Sequence, residues 1–270
     1  MNMHRPVQDA RAALNYLKRT EQRPTVSIDL NGVPGVVERV PRQAVTVDIH
    51  DARGGAVTFA ESGVALVHAP SRAGNLREDA ALTTYGEEIA ALLKERIGAI
   101  EVEVFDHTLR FEAAEDGDQR TPVYSIHYDY TNDSGAKRLR DLLSGARADA
   151  WAAGHYGIVN VWRPVERVVM RSPLAFVDEK TTTPDDRGVI DIVYTDRVGH
   201  NYGLHHRDGV RMFFFPEMTP EEAVMFKTFD SDPDAAIRYV GHTAFEDLIR
   251  PNLDAPARQS VETRALVRWK

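Results

Sequence analysis

The stretch VYSIHYDYT, residues 123–131, opens the part of the chain that decides the fold. Its aromatic and β-branched residues are typical of a strand, and His127 and Asp129 interrupt them. Further runs of this kind continue towards the C-terminus, at residues 156–164, 174–178, 189–195, 211–216, 224–231, 237–245 and 260–269. Many short strands separated by Gly, Pro, Asn and Asp predict a β-sandwich or barrel.

Upstream of residue 121, the sequence predicts helices among short strands. The first 20 residues place Ala13, Leu14 and Leu17 on one side of an amphipathic helix. The clearest helical pattern covers residues 77–97, and Gly98 follows it as a C-terminal stop.

Two shorter helices are predicted within the strand-rich part of the chain. One covers residues 136–146, and the other begins at Thr219, an N-cap residue followed by proline. Together these patterns predict one mainly β domain over residues 1–270. A flanking region of helices and strands covers residues 1–120, and a jelly-roll core with helices packed outside covers residues 121–270.

Composition narrows the possible functions. The chain has 270 residues and no cysteine, so thiolate metal sites are excluded and any metal must bind through His, Asp or Glu. A net charge of −8 does not favour a nucleic-acid partner. No apolar run reaches the roughly 18 residues of a membrane span, and no signal-type segment is apparent. A cytoplasmic location is therefore expected.

His127 and Asp129 are the first candidate site residues. In a strand, residues i and i+2 point to the same face, so Ser125, His127 and Asp129 share one face. Ile126 and Tyr128 share the other. If the first face lines a barrel interior, the pair supplies two thirds of the 2-His-1-carboxylate triad that binds non-haem Fe(II). Taken alone, the pair also fits the solvated side of an ordinary strand.

A third ligand is predicted at His242, which ends an apolar strand 115 residues after His127. Beyond it, Arg258, Ser260 and Arg264 fall on one face of the last strand. A guanidinium pairs with a carboxylate in bidentate fashion, and iron enzymes that consume 2-oxoglutarate need a cation for its distal carboxylate. The combined order predicts Fe(II), with 2-oxoglutarate and O₂ as co-substrates.

Three other groups are weaker candidates for substrate contact. The segment HNYGLHHRDG, residues 200–209, predicts a polar loop at the barrel mouth that includes His206. The segment FDHTLR, which ends at Arg110, predicts either a local salt bridge or a polar wall of the site. Asn160 and Trp162 share a strand face, and Trp162 is either a core residue or a substrate contact.

Several stretches resemble the hydroxylase/desaturase family, which includes the aspergillic-acid hydroxylase of fungi, proteins named gibberellin desaturases and a subunit of bacterial cephalosporin methoxylase. The stretches are VFDHTLR, IHYDYT, GIVNVWRPVERVVMRSPLAFVD, MFFFPEMTPEEAVMFKTFDS, GHTAF and RQSVETRALV, in the same order. The resemblance implies a cupin-like double-stranded β-helix and an Fe(II)- and 2-oxoglutarate-dependent oxygenase. It assigns the iron ligands to His127, Asp129 and His242.

The resemblance also suggests how 2-oxoglutarate is held. The spacing of Arg258 and Arg264 is similar to that of the paired arginines in the DNA-dealkylating branch of the superfamily, where both contact 2-oxoglutarate. We expect Arg258 to be the anchor, with Arg264 as the second choice and Ser260 beside them.

The expected reaction is hydroxylation, desaturation or cyclisation of a small molecule, either amino-acid-like or an intermediate of secondary metabolism. Two alternatives stay open. One is a metal-dependent hydrolase on the same barrel, which uses the triad with a bound water and needs no arginine pair. The other is a non-catalytic accessory subunit that binds small molecules or an oxygenase partner.

Overall fold

The computed structural model describes residues 7–29, 35–55, 57–111 and 121–270. Strands dominate this part of the chain. Their bounds are β1 Ala10–Leu17, β2 Thr25–Ile28, β3 Val36–Arg39, β4 Arg42–Asp51, β5 Val64–His68, β6 Glu101–Phe111, β7 His127–Tyr128, β8 Tyr156–Pro164, β9 Leu174–Val177, β10 Arg187–Val193, β11 Val198–Leu204, β12 Met212–Phe214, β13 Glu222–Asp230, β14 His242–Ala244 and β15 Gln259–Arg268.

Within the described ranges these strands form two sheets. The larger has ten strands in the order β1-β4-β12-β9-β14-β7-β11-β10-β2-β3, and the smaller has five in the order β5-β13-β8-β15-β6. Strands distant in sequence are neighbours in both sheets, as in a jelly roll. The segment before residue 121 contributes to both sheets, because β4 pairs with β12 and β6 pairs with β15.

The two faces of the five-stranded sheet have different neighbours. The inner face turns towards the ten-stranded sheet, where Trp162 and Phe226 pack with Phe176. The outer face carries Val159 and Val161, which pack against a helix. Because side chains alternate along a strand, each strand contributes to both layers.

The described helices are α1 Phe59–Ser62, α2 Asp79–Ile97, α3 Asn132–Leu142 and α4 Gly145–Ala152. The helix predicted over residues 77–97 is confirmed as α2. It packs its apolar stripe on the outer face of the smaller sheet, and Gly98 ends it with a φ of 68°. The helix predicted over residues 136–146 straddles the break between α3 and α4. No helix in the described ranges is long and apolar enough to cross a bilayer.

The amphipathic helix predicted for the first 20 residues is wrong where the structure describes the chain; residues 1–6 lie outside the described ranges. Residues 10–17 form β1, which pairs along its whole length with β4. Ala10, Ala12, Leu14 and Tyr16 are all buried, which is a period of two. Ala13, Leu14 and Leu17 fit a helical stripe over the same segment, so long-range strand pairing decided between the two patterns.

Three local predictions also need correction. No helix begins at Thr219, because a single turn leads directly into β13, which pairs with β5 and β8. The strand predicted over residues 123–131 is paired as a strand only at His127 and Tyr128, with an isolated bridge at Ser125. The loop predicted over residues 200–209 is strand β11 as far as Leu204.

Candidate metal centre

Three predicted ligands meet where β7 and β14 lie side by side. His127 and His242 are directly paired across these two strands, and Asp129 follows β7 by one residue. Nε2 of His127 lies 3.7 Å from Oδ1 of Asp129, and Nε2 of His242 lies 3.8 Å from the same oxygen. One ligand atom from each residue falls within 4.8 Å of the others. Sheet pairing therefore brings together His127 and His242, which are 115 positions apart in the sequence.

Each imidazole is oriented through its other ring nitrogen. Nδ1 of His127 lies 2.9 Å from the carbonyl oxygen of Ser125, and Nδ1 of His242 lies 3.3 Å from that of Val240. A carbonyl oxygen only accepts hydrogen bonds, so in the neutral rings Nδ1 carries the proton. The lone pair of each Nε2 is then directed towards Asp129. This is the usual outer support of histidine ligands in metal sites.

Burial and neighbouring charges favour the metal-binding protonation states. Burial lowers the pKa of His127 to about 4, with a further contribution from His242, so the ring is neutral near pH 7. Burial by itself raises the pKa of Asp129, but the Arg264 guanidinium and the hydrogen bond from Asn160 favour the charged form, and the pKa is lowered. A neutral His127 imidazole and an ionised Asp129 carboxylate are thus available together.

The carboxylate of Asp129 is held from the inner face of the smaller sheet. Nδ2 of Asn160 donates to its Oδ2 at 2.7 Å, and Nε of Arg264 lies 3.5 Å from the same oxygen. Arg264 also donates to Asp106 at 2.6 Å and pairs with Glu262. These contacts occupy Oδ2 and leave Oδ1 facing the two histidines.

The donor set fits Fe(II). Two neutral imidazoles and one carboxylate on one side of a metal make the facial triad of non-haem iron sites, which leaves other positions for co-substrates. His242 is almost fully buried, and its ring packs edge-on against Phe226 with centroids 4.7 Å apart. The solvated-strand interpretation of His127 and Asp129 does not describe this arrangement, since both side chains face a common interior point.

The predicted 2-oxoglutarate contacts lie along β15. Arg258, immediately before the strand, is buried; its Nη1 donates to the carbonyl oxygen of Ser172 at 2.7 Å, and its guanidinium lies 5.5 Å from the centre of the Trp162 ring. Ser260 is fully buried, and its Oγ has no hydrogen-bond partner among the described residues. Arg264 is at the triad end of the same row.

The three weaker candidates have different surroundings. Arg110 is paired with Ser260 across β6 and β15, and its charge contributes to the lowered pKa of His127. Trp162 is a buried core residue under the Arg258 guanidinium. His206 lies edge-on against Tyr16, with ring centroids 5.0 Å apart, and is not brought to the triad.

The FDHTLR segment is divided between the two faces of the smaller sheet. Asp106 reaches the inner face, where it bonds Arg264. His107 points outward, lies beside Tyr85 of α2, and its Nδ1 is 2.8 Å from Oγ1 of Thr263. A polar wall therefore includes Asp106 and Arg110, whereas His107 is a contact of the outer layer.

Two supporting residues were not singled out as such from the sequence. Asn160 is the one polar side chain in the middle of the apolar run YGIVNVW, and this was an available signal for its bond to Asp129. Glu179 is buried, and its Oε1 accepts from the backbone N–H of Gly241, next to His242. No local pattern indicated Glu179, because a carboxylate after a strand is ordinarily solvated.

Two cavities reach the triad from different sides. One, of about 320 Å³, extends from Asp129 and Arg264 to α3 and β11. The other, of about 210 Å³, extends from His127 along β2 and β10. Both are lined by Ile192 and Asn201. The triad is therefore accessible to small molecules from the interior of the barrel.

Comparisons with known proteins agree with this geometry. The family model described as "Oxidoreductase/YMDC permease-like domain" matches residues 14–268. Hydroxylase/desaturase efuI of Hormonema carpetanum is 26% identical over 282 residues, covering 95% of this chain and 94% of its own. The Fe(II)/2-oxoglutarate-dependent dioxygenase nvfI of Aspergillus novofumigatus is 28% identical, covering 78% and 75%. Oxidoreductase clz16 of Cochliobolus lunatus is 30% identical, covering 68% and 67%.

A solved structure has the same fold. The iron and alpha-ketoglutarate-dependent endoperoxidase NvfI superposes with a TM-score of 0.85 at 24% identity, over 97% of this chain and 98% of its own. The prediction of a jelly-roll fold with flanking helices is confirmed. The resemblance to the hydroxylase/desaturase family is confirmed as well.

Proposed function

The chain belongs to the oxidoreductase family whose domain covers residues 14–268, and on that premise we propose that it is an Fe(II)- and 2-oxoglutarate-dependent oxygenase acting on a small molecule. The observation that carries the proposal is the convergence of His127, Asp129 and His242 within 4.8 Å. These three residues would hold the iron. The names of the curated relatives, among them hydroxylase/desaturases and a 2-oxoglutarate-dependent dioxygenase, support the same reaction class.

We assign the distal carboxylate of 2-oxoglutarate to Arg258 and Ser260. A buried hydroxyl without a partner costs about 1–3 kcal/mol, and Oγ of Ser260 is such a group in the described part of the chain. A carboxylate accepting from this hydroxyl and from the nearby guanidinium would remove that cost. Arg264 is already engaged by Asp106, Glu262 and Asp129, so we assign it to orienting the ligand carboxylate.

The residues around the triad hold its side chains in position before any substrate binds. When bound, Fe(II) together with 2-oxoglutarate supplies the activation of O₂ that oxidation of an unactivated C–H bond requires. The chain supplies imidazoles at His127 and His242 and a fixed carboxylate at Asp129. Asn160 holds that carboxylate by a charge-assisted hydrogen bond of 2.7 Å. The two cavities orient the target C–H bond and exclude others.

Hydroxylation, desaturation and cyclisation would use the same metal ligands and co-substrate. They would differ in how the substrate is positioned. Arg110 is our candidate for substrate contact, because it lies opposite Ser260 and close enough to His127 to affect its pKa. Trp162 and His206 stay predictions without a contact to the triad. A cytoplasmic location also stays a prediction. The hydrolase and accessory-subunit alternatives give no role to the row of Arg258 and Ser260.

Anaerobic spectroscopy tests the proposal directly. Purified protein with Fe(II) and 2-oxoglutarate should show the weak visible charge-transfer band of the chelate. His127→Ala and Asp129→Ala should abolish the band and any release of succinate. His107→Ala, on the outer face of the same sheet, is the matched histidine control and should retain both. If both triad variants keep the band and the succinate, the iron assignment is wrong.

A further inference from the structure

The two cavities beside the triad are adjacent lobes with different chemistry. Asn201 and Ile192 line both cavities, so these residues lie at the junction. Asn201 is two residues from Gly203, which pairs with His127 across β11 and β7. Residues i and i+2 of a strand share a face, so Asn201 is on the triad side of the sheet.

The lobe next to His127 is mainly apolar. Val26, Ile126, Ile190 and Ile192 are part of its lining. Its charged residues, Glu38 and Arg42, pair with each other at 2.7 Å. A hydrocarbon portion of a substrate would bury its surface here without leaving an unpaired charge against it.

The lobe next to Asp129 has more cations than anions among its lining residues. Lys137 is paired with Asp141 at 2.7 Å, and Arg264 is engaged by carboxylates. Arg138 lies over the Phe105 ring at 5.4 Å and has no carboxylate within ion-pair distance among the described residues. Arg197 stacks on Tyr194 at 4.2 Å; its neighbour Asp196 is 3.3 Å away but 72% exposed. An anion bound in this lobe would therefore pair with Arg138 and would compete with the exposed Asp196 for Arg197.

The junction itself carries a polar atom in need of a partner. Oδ1 of Asn201 is buried and accepts no hydrogen bond from any described residue. Buried acceptors are normally satisfied, and an amide oxygen here would accept from an N–H or O–H group of a molecule spanning both lobes. The unsatisfied atom, the apolar lobe and the excess of cations are three independent features that one ligand would meet.

Resting on the proposed function, we propose that the substrate is an amphipathic carboxylate, with an apolar chain, a hydrogen-bond donor near its middle and a terminal anion. The chain occupies the lobe beside His127, the donor bonds Oδ1 of Asn201, and the carboxylate pairs with Arg138 and Arg197. An N-acyl amino acid has these three parts in this order. Asn201 then fixes which C–H bond lies at the triad.

A matched series of ligands tests each part separately. Calorimetry on the anaerobic protein loaded with Fe(II) and 2-oxoglutarate would compare N-decanoylglycine with its methyl ester and with N-decanoylsarcosine. The acid should bind about tenfold more tightly than the ester, because a charge-assisted pair is lost on esterification. It should bind about fivefold more tightly than the N-methyl compound, because that compound lacks the donor. N-acetylglycine, without the chain, should bind most weakly.

Variants locate the contacts. The double variant Arg138→Gln and Arg197→Gln should lose the preference for acid over ester, and Asn201→Leu should lose only the preference for N–H over N-methyl. Arg140→Gln, on the exposed side of α3 and paired with Asp149, should change neither. Equal binding of acid and ester to the unmodified protein, no binding of any probe at 1 mM, or preferences that survive the variants would overturn the inference.

The same samples separate this inference from the proposed function. The visible band of the Fe(II) and 2-oxoglutarate chelate is recorded before each titration, and the titration is repeated on metal-free protein. If the band is missing but the ligand preferences hold, the oxygenase assignment is wrong and the proposed ligand contacts are still supported. If the band is present and the preferences are absent, only the substrate class is wrong.

Discussion

The inner and outer faces of the five-stranded sheet are built from the same strands but have opposite chemistry. On β8, Val159 and Val161 face outward to α2, whereas Asn160 between them faces Asp129. On β15, Val261 and Ala265 face outward, whereas Glu262 faces inward with its carboxylate paired. Both faces are buried. Burial of polar groups is tolerated only when they are paired, so the inner face is organised around contacts that the outer face does not need.

This difference predicts that the inner face mainly affects ligand binding and that the outer face mainly affects folding stability. Changes at the polar positions of the inner face should alter metal and co-substrate binding more than they alter folding stability. Changes on the outer face should lower the free energy of unfolding and leave binding constants unchanged. The following variants test this division, from the largest expected effect to the smallest.

The largest effect is expected at the triad itself. Asp129→Asn keeps the size of the side chain but removes the negative charge that a metal ligand supplies. Fe(II) affinity should fall by at least about a hundredfold, beyond the 10–100-fold typical of outer-shell changes. Anaerobic titration with Fe(II), followed by the chelate band, measures this. An unchanged affinity would show that Asp129 is not a ligand.

Arg258→Gln should raise the 2-oxoglutarate concentration for half-saturation by about thirtyfold, since a buried charge-assisted pair contributes about 1.5–3 kcal/mol. Fe(II) affinity should stay the same. Arg110→Gln, a second cation on the inner face, is the control and should leave 2-oxoglutarate binding unchanged. If Arg110→Gln instead raises the 2-oxoglutarate concentration for half-saturation and Arg258→Gln does not, Arg110 on β6 is the residue that binds the distal carboxylate. Steady-state succinate release as a function of 2-oxoglutarate concentration distinguishes the two outcomes.

Neighbouring positions on β8 test the comparison most sharply. Asn160→Leu removes the hydrogen bond to Asp129 at similar volume, so Fe(II) affinity should fall about 10–100-fold. Val161→Ala leaves a cavity against α2 and should lower the free energy of unfolding by about 2 kcal/mol without affecting Fe(II). Urea unfolding and Fe(II) titration of both variants give the four values. If Val161→Ala weakens Fe(II) binding as much as Asn160→Leu does, the faces are not separable.

The smallest effect is expected from a histidine on the outer face. Burial lowers the pKa of His107, although Asp106 opposes the shift. The unfolded chain therefore binds more protons at this position, and folding stability falls as pH decreases through the usual histidine range near 6.5. His107→Gln should reduce the slope of unfolding free energy against pH between 7 and 5, with Fe(II) binding at pH 7.5 unchanged. An identical slope in the variant would contradict the assignment.

Much of the site could be predicted because its residues stand out from their surroundings. His127 and Asp129 interrupt an aromatic run of the sequence, and His242 follows a mainly apolar one and begins β14. Asn160 gave a comparable signal, a lone amide in an apolar run, but its partner could not be identified without the fold. Glu179 gave none, since its burial depends on the N–H of Gly241 approaching from a distant part of the chain.

The N-terminal segment shows the limit of periodicity. Ala10, Ala12, Leu14 and Tyr16 satisfy a strand, whereas Ala13, Leu14 and Leu17 fit a helical stripe over the same residues. Short apolar patterns of this length are ambiguous. The availability of β4 as a partner resolved the ambiguity, and its residues lie 25 to 39 positions away from their partners in the sequence.

The sequence by itself determined the β-rich class, the absence of thiolate chemistry, the helix α2 and the three candidate metal ligands. Each of these depends on residue type and on local spacing, which the chain carries wherever it folds. Only the tertiary structure decided that Oδ2 of Asp129 is held by Asn160 and Arg264, that His107 faces away from the site, and that two unlike cavities meet at Asn201. Those facts depend on which strands are neighbours, and strand pairing over long separations is set by the packing of the whole domain.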